Sequence, residues 1–268
     1  MMNLEISIGD LQVRIFKLRL TNILVLMLFN SLFISAIFAQ QKTRNPKSEI
    51  RNFLTCPIIR DSKTFPCWLV EYNGETYYLG QQGRSGSLFY PPQLKHQVLV
   101  EGRIKDGSRL CGGIVLEPVT ISVMPELDLS CNTLLPAQDG LEPPPPIPYP
   151  ENAPFADDTR NFTILFDFDS DFLSLHKTRI VGEVVRIAKV NGLKNIVIKT
   201  FRGTTLLSNG QKLIEKEEIA ELRAGKLYDI FEGLGFAKEH IKLAIKTNPE
   251  KADGIIDVGK RRAEILIF

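Results

Sequence analysis

Between residues 137 and 158 the chain runs AQDGLEPPPPIPYPENAPFADD. Pro143 to Pro146, with Pro148 and Pro150, lack the backbone N–H that a helix interior or a central strand requires. Such a run holds polyproline II, a stiff spacer of about 3.1 Å per residue. It therefore divides the chain, and fully extended it would hold its flanking domains roughly 60 Å apart. The hydrophobic pattern differs on its two sides.

On the amino-terminal side, Arg14, Lys17 and Arg19 precede an apolar run from Leu20 to Phe38 that ends SAIFAQQ. A basic region, an apolar core and small residues around a cut after Ala39 describe a secretory signal over residues 1–39. The run is also near the minimum length of a membrane anchor, although Asn22, Asn30 and Ser31 weaken it. Either way the basic flank stays cytoplasmic and the rest is exported; membrane contact is expected only through residues 20–38, if uncleaved. Residues 40–52 are polar and read as a tether. Cys56, Cys67, Cys111 and Cys131 all follow the leader, and in an oxidising compartment an even number suggests two disulfides. The favoured pairing joins Cys56 to Cys131, tying the domain ends, and Cys67 to Cys111 inside. Zinc is the rival, but no Cys-x-x-Cys occurs and only His96 lies nearby; no metal or other cofactor is expected.

Residues 53–136 form the first domain. PCWLVEYNGETYYLG carries a hairpin signature with Asn73-Gly74 as its turn. Further strands follow in HQVLVEGRI and SRLCGGIVLEPVTISV, with Asp106-Gly107 between them. Short strands without helical period suggest a small closed barrel of OB or SH3 type. Trp68, Tyr77, Tyr78, Phe89 and Tyr90 are either its core or a stacking platform.

On the carboxy-terminal side, over 159–268, strand and helix patterns alternate. FTILFDFDS, NIVIKTF, IKLAIK and RRAEILIF read as strands, and LSLHKTRIVGEVVRIAKV as a helix. Leu213 to Gly235 reads as a second helix, with Ile219, Leu222, Leu227, Ile230, Phe231 and Leu234 on one side. The predicted class is α+β: a four-stranded sheet with helices on one side. Arg223 lies within the apolar arc of the second helix. Because an unpaired buried charge is very costly, its guanidinium either pairs with a neighbouring acid, snorkels past the helix start, or receives an anionic ligand group.

FDFDS at 166–170, NIVIKTFRG at 195–203, IAELRAGKLYDIFEGLGF at 219–236, Asn248-Pro249 and KRRAEILI at 260–267 together resemble the OmpA-like domain family of Gram-negative envelope proteins. The resemblance covers residues from about 160 to 268 and neither the barrel nor the linker. It implies a non-catalytic peptidoglycan-binding module whose ligand is the zwitterionic diaminopimelate of the stem peptide. In that family a helix arginine takes the carboxylate, a task that suits its bidentate fork, and an aspartate after the second strand takes the ammonium. Arg223 matches the arginine, with Thr204, Asn209 and Arg262 as further candidate contacts. The aspartate is missing: the family position falls on Gly203, and no acid occurs between Thr200 and Ile214. An ammonium there would lose a contact of about 1.5–3 kcal/mol. Either Asp169 or Asp171 substitutes, or the domain has lost or changed its ligand.

The expectation is an exported periplasmic protein, associated with the cell wall and the inner or outer membrane. Its partner is peptidoglycan through Arg223 or, alternatively, another envelope protein for which it is a structural subunit. Nucleic-acid binding is not suggested by a net charge of +2 from 33 basic and 31 acidic residues. An enzyme is not expected, because Asp167, Asp169 and Asp171 offer no assignable acid–base pair.

Overall fold

Asn73 and Gly74, with φ of 51° and 75°, make the two-residue left-handed turn that pairs Tyr72 with Glu75, as the Asn-Gly signature predicts. This hairpin belongs to the amino-terminal half of a computed structural model that describes residues 49–81, 90–141, 153–255 and 257–268. The expected leader, the tether up to residue 48, the proline run and Phe89 lie outside the described residues. Within them, no helix is long and apolar enough to cross a membrane.

The amino-terminal half contains β1 (Ile50–Thr55), β2 (Pro57–Arg60), β3 (Cys67–Tyr72), β4 (Glu75–Gln81), β5 (His96–Leu110), β6 (Gly113–Leu127) and β7 (Thr133–Leu135). Residues 50–52, predicted as the end of the tether, belong instead to β1, where Asn52 is buried. Cys56 alone separates β1 from β2. β1 pairs with β5 and β2 with β3, so one bent strand flanks both sides of the run β1-β5-β6-β4-β3-β2, which β7 extends beyond β2. Neighbours are antiparallel except β4 with β6 and β2 with β7, which are parallel. Phe53, Trp68, Val70, Tyr77, Val98 and Val100 belong to one apolar cluster, and Leu69, Tyr78 and Val115 to a second. Trp68, Tyr77 and Tyr78 are thus core residues; of the proposed platform only Tyr90 is exposed among the described residues.

The β5–β6 turn is not at Asp106-Gly107. Those residues form an irregularity inside β5, and the reversal comes at Cys111-Gly112, with φ of 49° and 85°. The Cys67–Cys111 disulfide fastens that tip to β3, and Cys56–Cys131 is the second bridge. Both pairings match the favoured connectivity. Asp128 lies beside Cys56 and Cys131, but sulfurs joined to each other supply no thiolate for zinc.

The carboxy-terminal half contains β8 (Asn161–Leu165), α1 (Leu175–Asn191), β9 (Ile196–Leu206), β10 (Lys212–Ile214), α2 (Ile219–Gly233), β11 (Ile241–Glu250) and β12 (Arg262–Ile267). β9 is parallel to β11 and antiparallel to β12, which in turn pairs with β8. Burial alternates along β8 and β12, the period-two pattern of a sheet with one covered face. Phe162, Ile198 and Ile265 from that face pack with Val184 and Ile187 of α1 and with Leu227 and Phe231 of α2 in one cluster. Gly192 ends α1 with φ of 65°, the left-handed closure that favours glycine.

The stretch after residue 201, which lies between the predicted strand NIVIKTF and the predicted helix from Leu213, continues β9 to Leu206 and turns back through Gly210 into β10. Leu213 and Ile214 are therefore strand, and α2 begins six residues later than predicted, at Ile219.

The halves are not held apart by the spacer; residues 49–268 form one compact unit. Leu99 of β5 packs with Phe168 and Leu207, flanked by Leu54, Met124 and Leu213. Asn52 N–H donates to Ser208 Oγ and Ser208 N–H to the Asn52 carbonyl, at 3.0 and 2.7 Å. At the centre Arg261 donates to both carboxylate oxygens of Glu101 and, at 2.6 Å, to Thr205 Oγ1. All three residues are buried. Apolar surface and a charge pair that must be desolvated together outweigh the reach of the linker.

Removing one partner of a buried pair strands the other. Glu101→Leu is expected to lose about 3–5 kcal/mol in chemical denaturation. Glu101→Leu combined with Arg261→Met should recover most of that loss.

Candidate functional site

α2 buries much of the predicted apolar arc, with Ile219, Leu227 and Phe231 inward as expected and Ile230 packed against the core. Ala220, Arg223, Ala224, Leu227 and Phe231 are buried, a run at spacings of three and four. Leu222 and Leu234 are exposed. Two alanines in the first turns let the helix approach the sheet closely, and Arg223 enters between them.

Arg223 is fully buried, at 0 % exposure. A guanidinium has five N–H donors, and all are used. Nε donates to the Ser170 carbonyl at 3.0 Å, one Nη1 bond goes to the Phe201 carbonyl at 2.9 Å and one Nη2 bond to the Asp167 carbonyl at 3.1 Å. The remaining two make a bidentate pair with Glu215, Nη2 to Oε1 at 2.5 Å and Nη1 to Oε2 at 3.1 Å. The Phe166 ring lies 4.8 Å from the guanidinium carbon, within cation–π range.

Glu215 is equally saturated. Beyond Arg223, its Oε2 accepts from the Gly203 N–H at 2.7 Å and its Oε1 from the Asp169 N–H at 3.0 Å. A carboxylate has about four acceptor positions, and here each is filled. Glu215 was missed because a helix starting at Leu213 puts it eight residues, or about 12 Å of rise, from Arg223. The available signal was an acid at the edge of a stretch that lacks one, beside an arginine in need of a partner.

Gly203 is held by close approach. A Cβ there would lie 2.8 Å from Lys260 Cβ and 3.0 Å from Arg261 Cγ. The position therefore has no room for the aspartate of the family pattern, rather than an empty place awaiting one.

The other candidate residues are spread over separate contacts. Thr204 is buried in the β9–β10 pairing, opposite Ile214. Asn209 accepts the Gln211 N–H and shapes the exposed turn. Arg262 is bound to Glu250 and Glu264, with its guanidinium carbon 3.8 Å from the centre of the Phe201 ring. Asp171 pairs with Lys226 at 2.7 Å. Asp169 does reach the Arg223 region, but its Oδ1 accepts the Lys216 N–H at 2.6 Å and its backbone serves Glu215. Neither of two surface depressions, one beside Arg60 and Asp139, the other beside Phe201 and Asn248, includes Arg223 in its lining.

Burial raises the Asp169 carboxyl above the ordinary aspartate range, and the Glu215 charge adds to the effect against the Lys216 bond. Its φ of 51° is left-handed, a conformation that asparagine and aspartate tolerate best.

No family model and no curated protein matches the sequence. Among solved structures, the chain is similar to the OmpA-like domain of FopA1 from Francisella tularensis, with 19% identity and a TM-score of 0.30 over 39% of this chain and 69% of that one. It is also similar to a MotB-like protein from Desulfovibrio vulgaris, with 19% identity and a TM-score of 0.31 over 40% of this chain and 73% of that one.

A carboxyl whose folded-state value is raised binds its proton more tightly in the native protein, so stability falls as pH rises through that value. Asp169→Asn keeps an oxygen acceptor for Lys216 and removes the charge. It should stabilise by a few tenths of a kcal/mol at pH 7, small because the group is half-exposed, and be without effect near pH 3. Denaturant titrations at the two pH values check this.

Proposed function

We propose that this chain is a non-catalytic cell-envelope scaffold in which residues 159–268 are an OmpA-like domain used for protein contacts. The motif set at 166–170, 195–203, 219–236 and 260–267 supports the domain assignment, as does the order β11-β9-β12-β8 with both helices in one core. The first half is best read as an OB-type barrel: counting β1 and β2 as one bent strand, neighbours run first, second, third, fifth, fourth and back to first. Export rests on the basic and apolar leader.

The observation that carries the scaffold reading is the saturation of Arg223. Its five donors are spent on three carbonyls and Glu215, and Gly203 cannot be exchanged for an acid without a clash. A stem-peptide carboxylate would find no free donor on this arginine. The reading as a non-enzyme is supported by the use of the clustered carboxylates in structural bonds: Asp167 with Lys177, Asp169 with Lys216 and Asp171 with Lys226.

The full chain without its leader should remain in the supernatant when purified sacculi are sedimented. Retention that free diaminopimelate competes away would reject the scaffold reading and reinstate peptidoglycan as the ligand.

A further inference from the structure

Glu215 is the sole buried residue between Gln211 and Glu218; Lys212, Ile214, Lys216, Glu217 and Glu218 are exposed and Leu213 is half-buried. An exposed arm that sends only a carboxylate inward reverses the usual ranking, in which the apolar side chains enter and the charges stay out. Ile214, directly before it, is 55% exposed. The arm's deepest point is thus an anion, and its surroundings are built for one.

Four donors converge on that carboxylate from three places: the Asp169 N–H in the loop after β8, the Gly203 N–H in β9 and two Arg223 bonds from α2. Each donor residue also has contacts besides the Glu215 carboxylate. Three carbonyls and the Phe166 ring fix the guanidinium plane, the left-handed Asp169 aims its own amide, and Gly203 is wedged against Lys260 and Arg261. A planar fork with flanking backbone amides is matched to a carboxylate in shape and charge.

We propose that this cradle is a carboxylate-binding site occupied in cis, with Glu215 as its tethered ligand and the arm from Gln211 to Glu218 as the tether. The inference rests on the reading of Arg223 as internally engaged. It adds that the receptor outlasts its occupant: with the Glu215 side chain removed, the site takes a small free carboxylate. Any external carboxylate acting on the intact protein has to displace Glu215 first, which makes the arm a competitive gate.

The test is chemical rescue of Glu215→Ala in the full chain, with sodium formate as the probe and sodium chloride at equal ionic strength as the control. Formate should raise the variant's Tm by about 3–6 °C at ten times its Kd. It should do no more than chloride for the wild type or for Glu215→Ala with Arg223→Leu. A folded Glu215→Ala that responds equally to formate and chloride overturns the proposal. If Glu215→Ala does not fold, formate should restore its native circular dichroism. Failure to do so while the double variant folds overturns it equally. Sacculus retention of the wild type would remove the scaffold reading alone, and a failed rescue would remove the cradle alone.

Discussion

A guanidinium cannot be left unpaired in a protein interior, and the carboxy-terminal half is arranged around satisfying one. Arg223 needs five acceptors, and three of them are carbonyls of Asp167, Ser170 and Phe201. That demand explains the left-handed turn after β8, the closeness of β9 to α2 and the inward course of the chain at Glu215. Alanines beside the arginine leave space for the polar cluster, and Phe166 covers it from below. Bonds to charged groups contribute about 1.5–3 kcal/mol when made, but the larger effect is the penalty when one partner is absent.

The junction between the halves repeats the solution. Arg261 enters from beside β12, Glu101 from β5, and Thr205 bridges them. Each half therefore contributes one charge that is acceptable only in the presence of the other. Phe168, which packs with Leu99 and Leu207, has its ring centre 5.8 Å from the Arg261 guanidinium carbon, and both charges are buried away from the water that would otherwise weaken the pair. Phe168 of the junction is followed directly by Asp169, whose N–H donates to Glu215, so the two arginine clusters adjoin along one loop.

Features set by local chemistry were legible in the residues. The Asn73-Gly74 turn, α1 and the one-sided sheet follow from turn preference and periodicity, while the favoured disulfide pairing followed from one bridge tying the domain ends. So does the place of Arg223 in the buried face of α2. What was hidden depended on partners distant in sequence. Glu215 is ordinary for a helix start until β10 pairs with the far end of β9 and turns it inward. Asp106-Gly107 is a good turn on its own, but the disulfide at Cys111 and the β5–β6 register place the reversal further on. Leu222 outranks Ala224 in hydrophobicity, yet the polar cluster needs small neighbours. The docking of the two halves was hidden for a similar reason, since a polyproline run sets only how far its ends can separate.

The Glu101–Arg261 pair has a consequence for how this chain can be divided. Cutting in the proline-rich segment, the obvious place from composition, would give two fragments that each keep a full set of strands. One would expose Glu101 and Leu99, the other Arg261, Phe168 and Leu207, so each product carries an adhesive patch made for its sibling. The heritable unit is then the joined pair. Shuffling either half onto a foreign neighbour would require rewriting the sticky face as well as the joint.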